Sequence, residues 1–410
     1  MKLGGVSHEI LYIVNARLPT EKAHGYQISQ MCQAFMENGH NLKLWHPYRN
    51  NTRDLAGQQL RQYYGLRVDI TQSELPSIDW HNSFGRCGRW ASFMAHYVQS
   101  QTFYYSATRR LSRETRADTI YLRDGDLAVW LVERRPEFQS RMIVELHHLP
   151  RRQWRRAGWA ASLKNVRLVV ALTRAMKNDL MNLGVPEGRI HVAPDAVDWE
   201  TFDISHSQKE ARDELALPQE KKIAAYVGKF HTNGEEKGIP EIIQAAGILQ
   251  KTQPELDFYF IGGPTSRVAR YHEIAVKHGV EKSRLIFRGK QPIQQVPLWL
   301  KAADVLLMPH PKTDFYSKHV SPLKMFEYMA AQKPIIASKL PAIEDILEGG
   351  KTAYLAKAGD ASDLARILSE VFADSQRAAE VSRAAKAKGR GFTWANRAQG
   401  ILDAYEKIEP

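Results

Sequence analysis

The stretch YVGKFHTNGEEKGIPEII, residues 226–243, contains the pattern that decides the fold. An apolar run ends at a glycine, Lys229 follows, and a polar loop leads to Lys237 and Gly238, where a helical pattern with Pro240 begins. A strand, a loop and a helix form the repeating unit of parallel α/β sheets, and the loop lies at the carboxyl edge of the sheet. Lysines at both ends of such a loop favour phosphate binding, although lysines at loop ends are common in general.

Short apolar strands alternate with helical patterns along the chain. Near-continuous apolar strands separated by helices indicate parallel sheets covered on both faces. Two such series predict two doubly wound, Rossmann-like α/β domains. The strands of the first series are predicted at 9–15, 41–45, 118–123, 141–147, 167–172 and 189–194, with a first helix at 25–38. Those of the second series are predicted at 222–230, 257–263, 284–290, 304–310, 334–339 and 352–356.

The pattern lapses into polar and charged residues between 194 and 222, which predicts a domain boundary there. A chain of 410 residues is too long for one ordinary core. We expect an N-terminal domain at 1–196, a second domain at 197–390, and a C-terminal helix within 391–410 that packs back on the first domain.

The composition is that of a soluble globular protein, with 43% hydrophobic and 25% charged residues. No apolar run is long enough to cross a bilayer, and the first residues lack the apolar core of a signal peptide. The two cysteines, Cys32 and Cys87, offer neither a disulfide framework nor a metal cluster and suit a reducing compartment. We therefore expect a cytoplasmic protein.

The net charge of +12 is concentrated in the first half, where residues 1–200 hold 27 Lys and Arg against 19 Asp and Glu. Residues 151–177 contain eight basic residues and no acid. Such a segment can meet anionic lipid, nucleic acid or a phosphorylated substrate, or it can be a solvated basic face. The candidate residues of this segment for contact with an acceptor or a membrane are Arg151, Arg152, Trp154, Arg155 and Arg156.

An apolar stripe marks residues 88–101 as a helix. Its members recur at the spacing of one helical face, and most such stripes face the core. The alternative is an amphipathic surface that rests, with the basic segment, on an anionic membrane. The stripe consists of Trp90, Phe93, Met94, Tyr97 and Val98.

The stretch SPLKMFEYMAAQKPIIAS, residues 321–338, predicts a helix with an anion site at its start. Ser321 is a suitable N-cap, and Pro322 fits the first helical position. The free amides of the first turn and the helix dipole attract an anion, and Lys324 adds a charge. Glu327 lies roughly 7–8 Å beyond Pro322 along the axis, which is about the spacing from the diphosphate to the ribose of a nucleotide. The alternative is that Glu327 only caps a neighbouring loop.

Two further turns, FIGGPTS at 260–266 and FRGKQP at 287–292, also follow strands. The carboxyl ends of parallel strands meet at one edge, so these turns should line the same crevice as the lysine loop.

Taken together, these residues resemble the retaining GT-B glycosyltransferases of family 4. YVGKF…EEKG, FIGG, DVLLMP and SPLKMFEYMAAQKPIIAS occur in the order of that family's donor-binding domain. YIVNARLPTEKAHGYQISQMCQAFMENGH resembles its N-terminal glycine loop and first helix, while IVELHHLP, HVAPDAVDWETF and FTW resemble its middle segments and closing helix. The resemblance implies a GT-B fold, in which two Rossmann-like domains face a central cleft.

The resemblance implies roles for residues of the second domain. Lys229 and Lys237 would bind the donor diphosphate and Glu327 the ribose. The backbone amides around Ser321 to Lys324 would bind the phosphates, and Pro322 and Leu323 belong to this segment of the donor site. Gly262 and Arg288 would line the donor site, with Arg288 and Gly289 near the base. His319 stands where the family often has a second acid, which puts in question how the sugar hydroxyls are recognised.

In the first domain, the resemblance implies that His147 faces the donor sugar, with His148 as the alternative. Gly25, with His24, would let the N-terminal loop approach the donor or acceptor. His147, Lys229, Lys237 and Glu327 are thus the candidate catalytic residues.

The implied reaction moves a hexose from a UDP- or GDP-linked donor to an acceptor hydroxyl with retention, in cell-surface polysaccharide or glycolipid synthesis. The lysines and the helix N-terminus could stabilise the leaving diphosphate, so we expect no metal and no other cofactor. The acceptor would be a glycan or a lipid-linked molecule, and the protein could lie on the inner face of the membrane. A basic nucleic-acid-binding protein, or a catalytically weak homologue that binds a nucleotide sugar, is the alternative.

Overall fold

The computed structural model describes residues 7–80, 88–114, 116–232 and 234–409, without the side chain of Arg89. Cys87 lies outside these residues, and Cys32 is a buried free thiol. The chain divides into two compact units. Unit 1 extends to Pro194 and includes the segment that starts at Trp394, whereas unit 2 runs from Asp195 to Thr393.

Unit 1 is built on a seven-stranded parallel sheet, in the order β3-β2-β1-β4-β5-β6-β7. All four residues of β4 and of β6 are buried, as expected for central strands covered on both faces. The strands are β1 Glu9–Ile13, β2 Asn41–Pro47, β3 Thr71–Leu75, β4 Thr119–Leu122, β5 Met142–Leu146, β6 Leu168–Ala171 and β7 Ile190–Val192.

Unit 2 is built on a six-stranded parallel sheet, in the order β12-β11-β8-β13-β14-β15, with a small antiparallel hairpin of β9 and β10. The strand order reverses between β8 and β13, and in sheets of this kind ligands bind outside the carboxyl ends at that point. The strands are β8 Lys222–Lys229, β9 His231–Thr232, β10 Glu235–Glu236, β11 Leu256–Gly263, β12 Leu285–Gly289, β13 Val305–Met308, β14 Ile335–Lys339 and β15 Tyr354–Lys357.

Helices connect the strands and cover the sheets. In unit 1 they are α1 Ala23–Glu37, α2 Leu60–Tyr64, α3 Arg89–Leu111, α4 Gly125–Arg134, α5 Gln153–Leu163 and α6 Arg174–Asn182. In unit 2 they are α7 Trp199–Phe202, α8 Gln208–Glu214, α9 Ile239–Leu249, α10 Val268–Lys277, α11 Val296–Ala302, α12 Leu323–Ala331, α13 Pro341–Glu344, α14 Ala361–Ala373 and α15 Ser375–Gly389. The last helix, α16 Trp394–Glu406, packs against α1 and β6 of unit 1.

The sequence pattern missed α2 and β3. Four of the five residues of β3, TQSEL, are not buried, and this strand lies at the edge of the sheet beside β2. An edge strand therefore lacks the apolar run that identifies a central strand.

Candidate functional site

The lysine loop of unit 2 returns to the edge of the sheet from which it starts. Phe230 N–H donates to Gly263 O at 2.7 Å, and Lys237 N–H donates to Phe230 O at 2.9 Å. Tyr226 Oη donates to Lys229 O at 2.7 Å. These bonds tie both ends of the loop to the carboxyl ends of β8 and β11, so Lys229 and Lys237 lie at one edge.

The hairpin between the two lysines carries two acidic residues, Glu235 and Glu236, that accept hydrogen bonds from neighbouring segments. Glu236 accepts from Arg267 Nη1 at 3.0 Å and from Tyr271 Oη at 2.7 Å, and Glu235 accepts from Thr313 Oγ1 at 3.0 Å. The acids of the loop are thus engaged by neighbouring loops.

Glycines let the strand ends approach one another closely. At Gly238 the φ angle is +82°, and a Cβ there would lie 1.8 Å from Pro309 O. At Gly262 the φ angle is +139°, and a Cβ would lie 2.0 Å from Gly228 O. Only glycine fits both the left-handed backbone and the contact at these positions. The carboxyl ends of β8, β11 and β13 are therefore packed backbone to backbone.

Helix α12 begins one residue later than the sequence predicts. Pro322 is the cap residue with extended backbone angles, and Leu323 is the first helical residue. Ser321 does not cap the helix, because its Oγ accepts from Asp195 N–H at 2.8 Å. The prediction of Ser321 as N-cap and Pro322 as first helical residue is therefore wrong by one position.

Lys324 in the first turn of α12 is a buried amine, only 7% exposed. Its Nζ has no hydrogen-bond partner in the described part of the chain and lies 3.6 Å from the centre of the Tyr226 ring. A Cβ at Gly228 would lie 2.9 Å from this Nζ. Burial, and then the charge of Lys237, holds the pKa of Lys324 well below its usual value, while Glu327 acts in the opposite direction.

Two more titratable groups belong to the same edge. Burial, and then Lys229, lowers the pKa of Lys237 to about 8. Burial raises the pKa of the half-buried Glu327 to about 7, although Lys324 opposes the shift. The edge thus combines two amines with lowered pKa values and a carboxyl with a raised one, as is common where a charged ligand completes a site.

His310 was not identified as a site residue from the sequence. It follows β13, is fully buried, and stacks on Tyr316 with ring centres 4.8 Å apart. Neither ring nitrogen has a partner among the described residues, and burial, then Lys324 and Lys237, lowers its pKa well below the usual value. The sequence signal that could have identified His310 is its position just after β13, where the strand order of the sheet reverses.

The remaining predicted donor-site residues of unit 2 differ in exposure. His319 is buried at the end of a π-helical turn, Phe315–His319, just before α12. Arg288 is exposed at the end of β12, and Gly289 beside it has a φ angle of +62°. Their roles stay predictions.

In unit 1, His147 follows β5 and is held through both ring nitrogens. Nε2 lies 2.5 Å from Glu145 Oε1, and Nδ1 lies 3.1 Å from Arg123 Nη2. Burial, and then Arg123, lowers the pKa of His147 to about 4, although Glu145 opposes the shift. His148 is exposed, and its ring centre lies 6.1 Å from that of Trp159.

Gly25 in the first turn of α1 is required by packing within unit 1. A Cβ there would lie 2.1 Å from Tyr64 Oη and 2.5 Å from Thr20 Cγ2. Tyr64 Oη in turn accepts from Thr20 N–H and donates to Thr20 O. Whether Gly25 and the half-buried His24 also meet a ligand stays a prediction.

The basic segment is only partly a free surface. Arg155 Nη2 donates to Asp126 Oδ1 at 2.6 Å, and Arg156 Nε donates to Pro150 O at 2.6 Å. Arg151 and Arg152 are exposed, and Trp154 is 68% exposed.

The apolar stripe of α3 is largely exposed, so the interpretation that it faces the core is wrong. Trp90 is 82% exposed, and Phe93, Met94 and Tyr97 are about half exposed. The buried side of the helix instead carries Ala95, the polar pair Gln99 and Ser100, and Phe103 with Ala107. Periodicity identifies an apolar face but not what covers it.

Within residues 7–80, 88–114, 116–232 and 234–409, no three acids, histidines or cysteines are grouped to hold a metal ion. Over the same residues, every helix is too short or too polar to cross a membrane.

Two family models match the chain. Residues 25–201 match the model described as Glycosyltransferase Family 4, and residues 221–374 match that described as Glycosyl transferases group 1. A D-inositol 3-phosphate glycosyltransferase of Xylanimonas cellulosilytica is 26% identical over 362 residues, 86% of this chain and 77% of that protein. Its namesake from Nocardia farcinica is 27% identical over 244 residues, 58% of this chain, which spans only about half, 52%, of that protein.

Solved structures match over nearly the whole chain. HepE of Anabaena in complex with UDP gives a TM-score of 0.71 at 15% identity, over 98% of this chain and 100% of that one. Sucrose-phosphate synthase from Thermosynechococcus elongatus gives a TM-score of 0.74 at 18% identity, over 97% of this chain and 98% of that one. With the two parallel α/β units, these matches confirm the predicted GT-B fold class, and the chain belongs to the family 4, group 1 glycosyltransferases.

Proposed function

We propose that this protein transfers a hexose from a nucleoside diphosphate sugar to an acceptor hydroxyl and binds the donor diphosphate beside Lys324 and Lys237. The observation that carries the proposal is the buried amine of Lys324, which lacks a partner among the described residues and lies beside a second lysine. A buried, unpaired cation is costly, so such a group indicates a missing anion. Its place at the strand-order reversal of unit 2 is where ligands bind in such sheets.

A diphosphate fits this edge better than a carboxylate or a single phosphate. Lys229, Lys237 and Lys324 come from both ends of one loop and from a helix start, so they can contact several oxygens at once. When the sugar leaves, negative charge grows on the diphosphate, and prearranged cations stabilise that charge. The UDP complex of HepE supports UDP as the first donor to test, with GDP next.

Glu327, about one helical turn beyond Lys324, is the proposed ribose contact. An ionised carboxylate accepts hydrogen bonds from hydroxyls, and the raised pKa of Glu327 reflects a site from which water is partly excluded. Retention at the anomeric carbon is part of the proposal through the family. Because the lysines supply the positive charge, we expect turnover to persist when EDTA removes divalent cations.

The experiment is a donor panel in which release of UDP or GDP is measured, with Lys324→Met as the test variant. Methionine keeps the buried alkyl chain but removes the amine, so donor binding should weaken while the fold persists. Lys333→Met is the matched control, because burial also lowers the pKa of Lys333 to about 8 while this residue precedes β14 at the opposite edge. Equal loss in both variants, or no loss at Lys324, would overturn the proposed site.

For the acceptor, we propose a glycan or a lipid-linked molecule used at an anionic membrane surface. Helix α3 presents an exposed aromatic face and contains no acidic residue over its 23 residues. Exposed apolar patches of this kind mark interaction surfaces, and a helix with aromatic and basic residues suits the lipid interface. Inositol 3-phosphate, the acceptor named for two relatives, belongs in the acceptor panel as the soluble alternative.

Sedimentation with vesicles containing anionic lipid tests the membrane arm. A double variant, Trp90→Ser with Phe93→Ser, should lose sedimentation, and neutralising Arg151 and Arg152 should weaken it. Ile248→Ser, on an exposed position of α9 in unit 2, is the control. If the wild-type protein does not sediment with the vesicles, the membrane proposal fails.

A further inference from the structure

Glu145 is a buried carboxylate in β5 whose two oxygens are both engaged. Its side chain is 3% exposed. Oε2 accepts from Arg397 Nη1 at 2.9 Å and from Tyr121 Oη, and Oε1 lies 2.5 Å from His147 Nε2. Burial opposes the charge, but Arg397 and then His147 outweigh it and hold the pKa of Glu145 well below its ordinary value. Glu145 is therefore a charged hydrogen-bond acceptor for His147.

Arg397 comes from the last helix, α16, 252 residues along the chain from Glu145. Its side chain is 3% exposed. Nε donates to Pro194 O at 2.8 Å and Nη2 donates to Ala193 O at 3.2 Å. The planar guanidinium is thus fixed on one side by the backbone after β7, and its Nη1 is directed at Glu145.

The partners of His147 determine which ring nitrogen carries the proton. Arg123 can only donate, so Nδ1, at 3.1 Å from its Nη2, must be the acceptor. The proton then lies on Nε2 and is donated to Glu145. Arg123 Nη2 is itself held at 2.6 Å from Gln27 Oε1 of α1. The ring is fixed from both sides.

We propose that Glu145 and Arg397 are positioning residues that hold His147 as the Nε2–H tautomer in one ring orientation, so that the last helix of the chain determines the geometry of this histidine. The consequence for catalysis rests on the proposed glycosyl transfer. The tautomer itself does not rest on it, and the two parts can fail separately.

The test combines a spectroscopic readout with kinetics. Two-bond ¹H–¹⁵N correlations of histidine-labelled full-length protein distinguish the tautomers, and His147→Asn identifies the signal. We expect the Nε2–H pattern in the wild type. In Glu145→Gln this pattern should be lost or mixed, because a Gln amide can donate as well as accept. We expect kcat to fall about tenfold, the lower end of the range known for carboxylates that orient metal-binding histidines, with donor KM changed less than kcat.

Arg397→Lys is the second variant, because lysine can reach Glu145 but cannot also satisfy both backbone carbonyls. Arg397→Lys should lower kcat by less than Glu145→Gln does and should weaken the Nε2–H pattern only partly. This variant keeps the test valid if Glu145→Gln does not fold. Arg167→Lys is the matched control. Arg167 anchors the end of the same helix through Ile408 O at 2.8 Å and the Tyr405 ring at 4.0 Å. Within the described part of the chain it forms no hydrogen bond or ion pair with Glu145 or His147.

An Nδ1–H pattern in the wild type would overturn the proposal, as would an unchanged tautomer in both variants. Equal effects of Arg397→Lys and Arg167→Lys would reduce Arg397 to a general anchor of the helix and would also overturn it. If no donor is turned over, the proposed function fails while the tautomer result stands alone.

Discussion

Raising the pH from 7 to 9 should weaken binding of a nucleoside diphosphate sugar to unit 2. Burial and the neighbouring Lys229 lower the pKa of Lys237 to about 8. A bound diphosphate favours the charged amine, so the pKa of Lys237 is higher in the complex than in the free protein. The affinity for the nucleoside diphosphate sugar is therefore highest below pH 8, and it falls as the pH rises from 8 towards the pKa that Lys237 has in the complex.

The magnitude follows from the free-state pKa. The protonated fraction of a lysine with a pKa of about 8 falls from about nine-tenths at pH 7 to about one-tenth at pH 9, so Kd rises about tenfold, or about 1.4 kcal/mol. Glu327, with a pKa of about 7, gains its carboxylate form over this range. That gain is at most about twofold, so the net weakening is at least about fivefold.

Isothermal titration calorimetry at pH 7, 8 and 9, in two buffers of different ionisation enthalpy, gives both Kd and the protons taken up. Lys237 alone should take up about half a proton at pH 8. Lys237→Arg stays charged throughout and should remove most of the pH dependence. Lys333→Arg should keep it, because Lys333 has a similar pKa at the opposite edge of the sheet. An affinity that is flat or rises between pH 7 and 9, or equal slopes in wild type and Lys237→Arg, would refute the reasoning.

Three further outcomes are expected. Lys324→Met should weaken donor binding by about tenfold to 100-fold, the range for a hydrogen bond to a charged group, with a melting temperature equal to or above that of wild type because an unpaired buried amine is removed. Glu327→Gln should weaken nucleoside diphosphate binding about tenfold but leave inhibition by inorganic pyrophosphate unchanged, and a parallel loss of pyrophosphate binding would contradict the ribose contact. Gly238→Ala should lower the free energy of unfolding by clearly more than Gly279→Ala does. The control costs about 1 kcal/mol for the left-handed backbone alone, because Gly279 has a φ angle of +68° and no atom within 4 Å of an added Cβ. Equal losses in denaturant titrations would contradict the contact between Gly238 and Pro309.

The sequence was sufficient for the parallel α/β architecture, because central strands and covering helices have strong local patterns. It was not sufficient for contacts between distant segments. Nothing near Ser321 shows that its hydroxyl accepts from Asp195, which lies 126 residues earlier, and this contact moves the helix start by one residue. Loop position and spacing identified Lys229 and Lys237 as candidates for phosphate binding, and that role stays a prediction.

The sequence did not show which individual side chains of the candidate site are buried. The buried amine of Lys324 lies beside Gly228, which has no side chain, and over the ring of Tyr226, and both contacts depend on tertiary packing. His310 was overlooked because a histidine at the end of an apolar run reads as part of the strand. The face of α3 was recognised as apolar, but its exposure depends on what packs against it.

The bond between Arg397 and Glu145 has a consequence for the order in which the protein forms during synthesis. Unit 2 is one continuous segment, whereas unit 1 is complete only when α16 has left the ribosome. Until then β5 holds a carboxylate without its main counter-ion, and burying such a charge unpaired is strongly unfavourable. Domains usually form from the N-terminus onward, but here the second unit can be finished first. A nascent chain stalled with only residues up to 393 exposed should resist protease in unit 2 and be cut in unit 1.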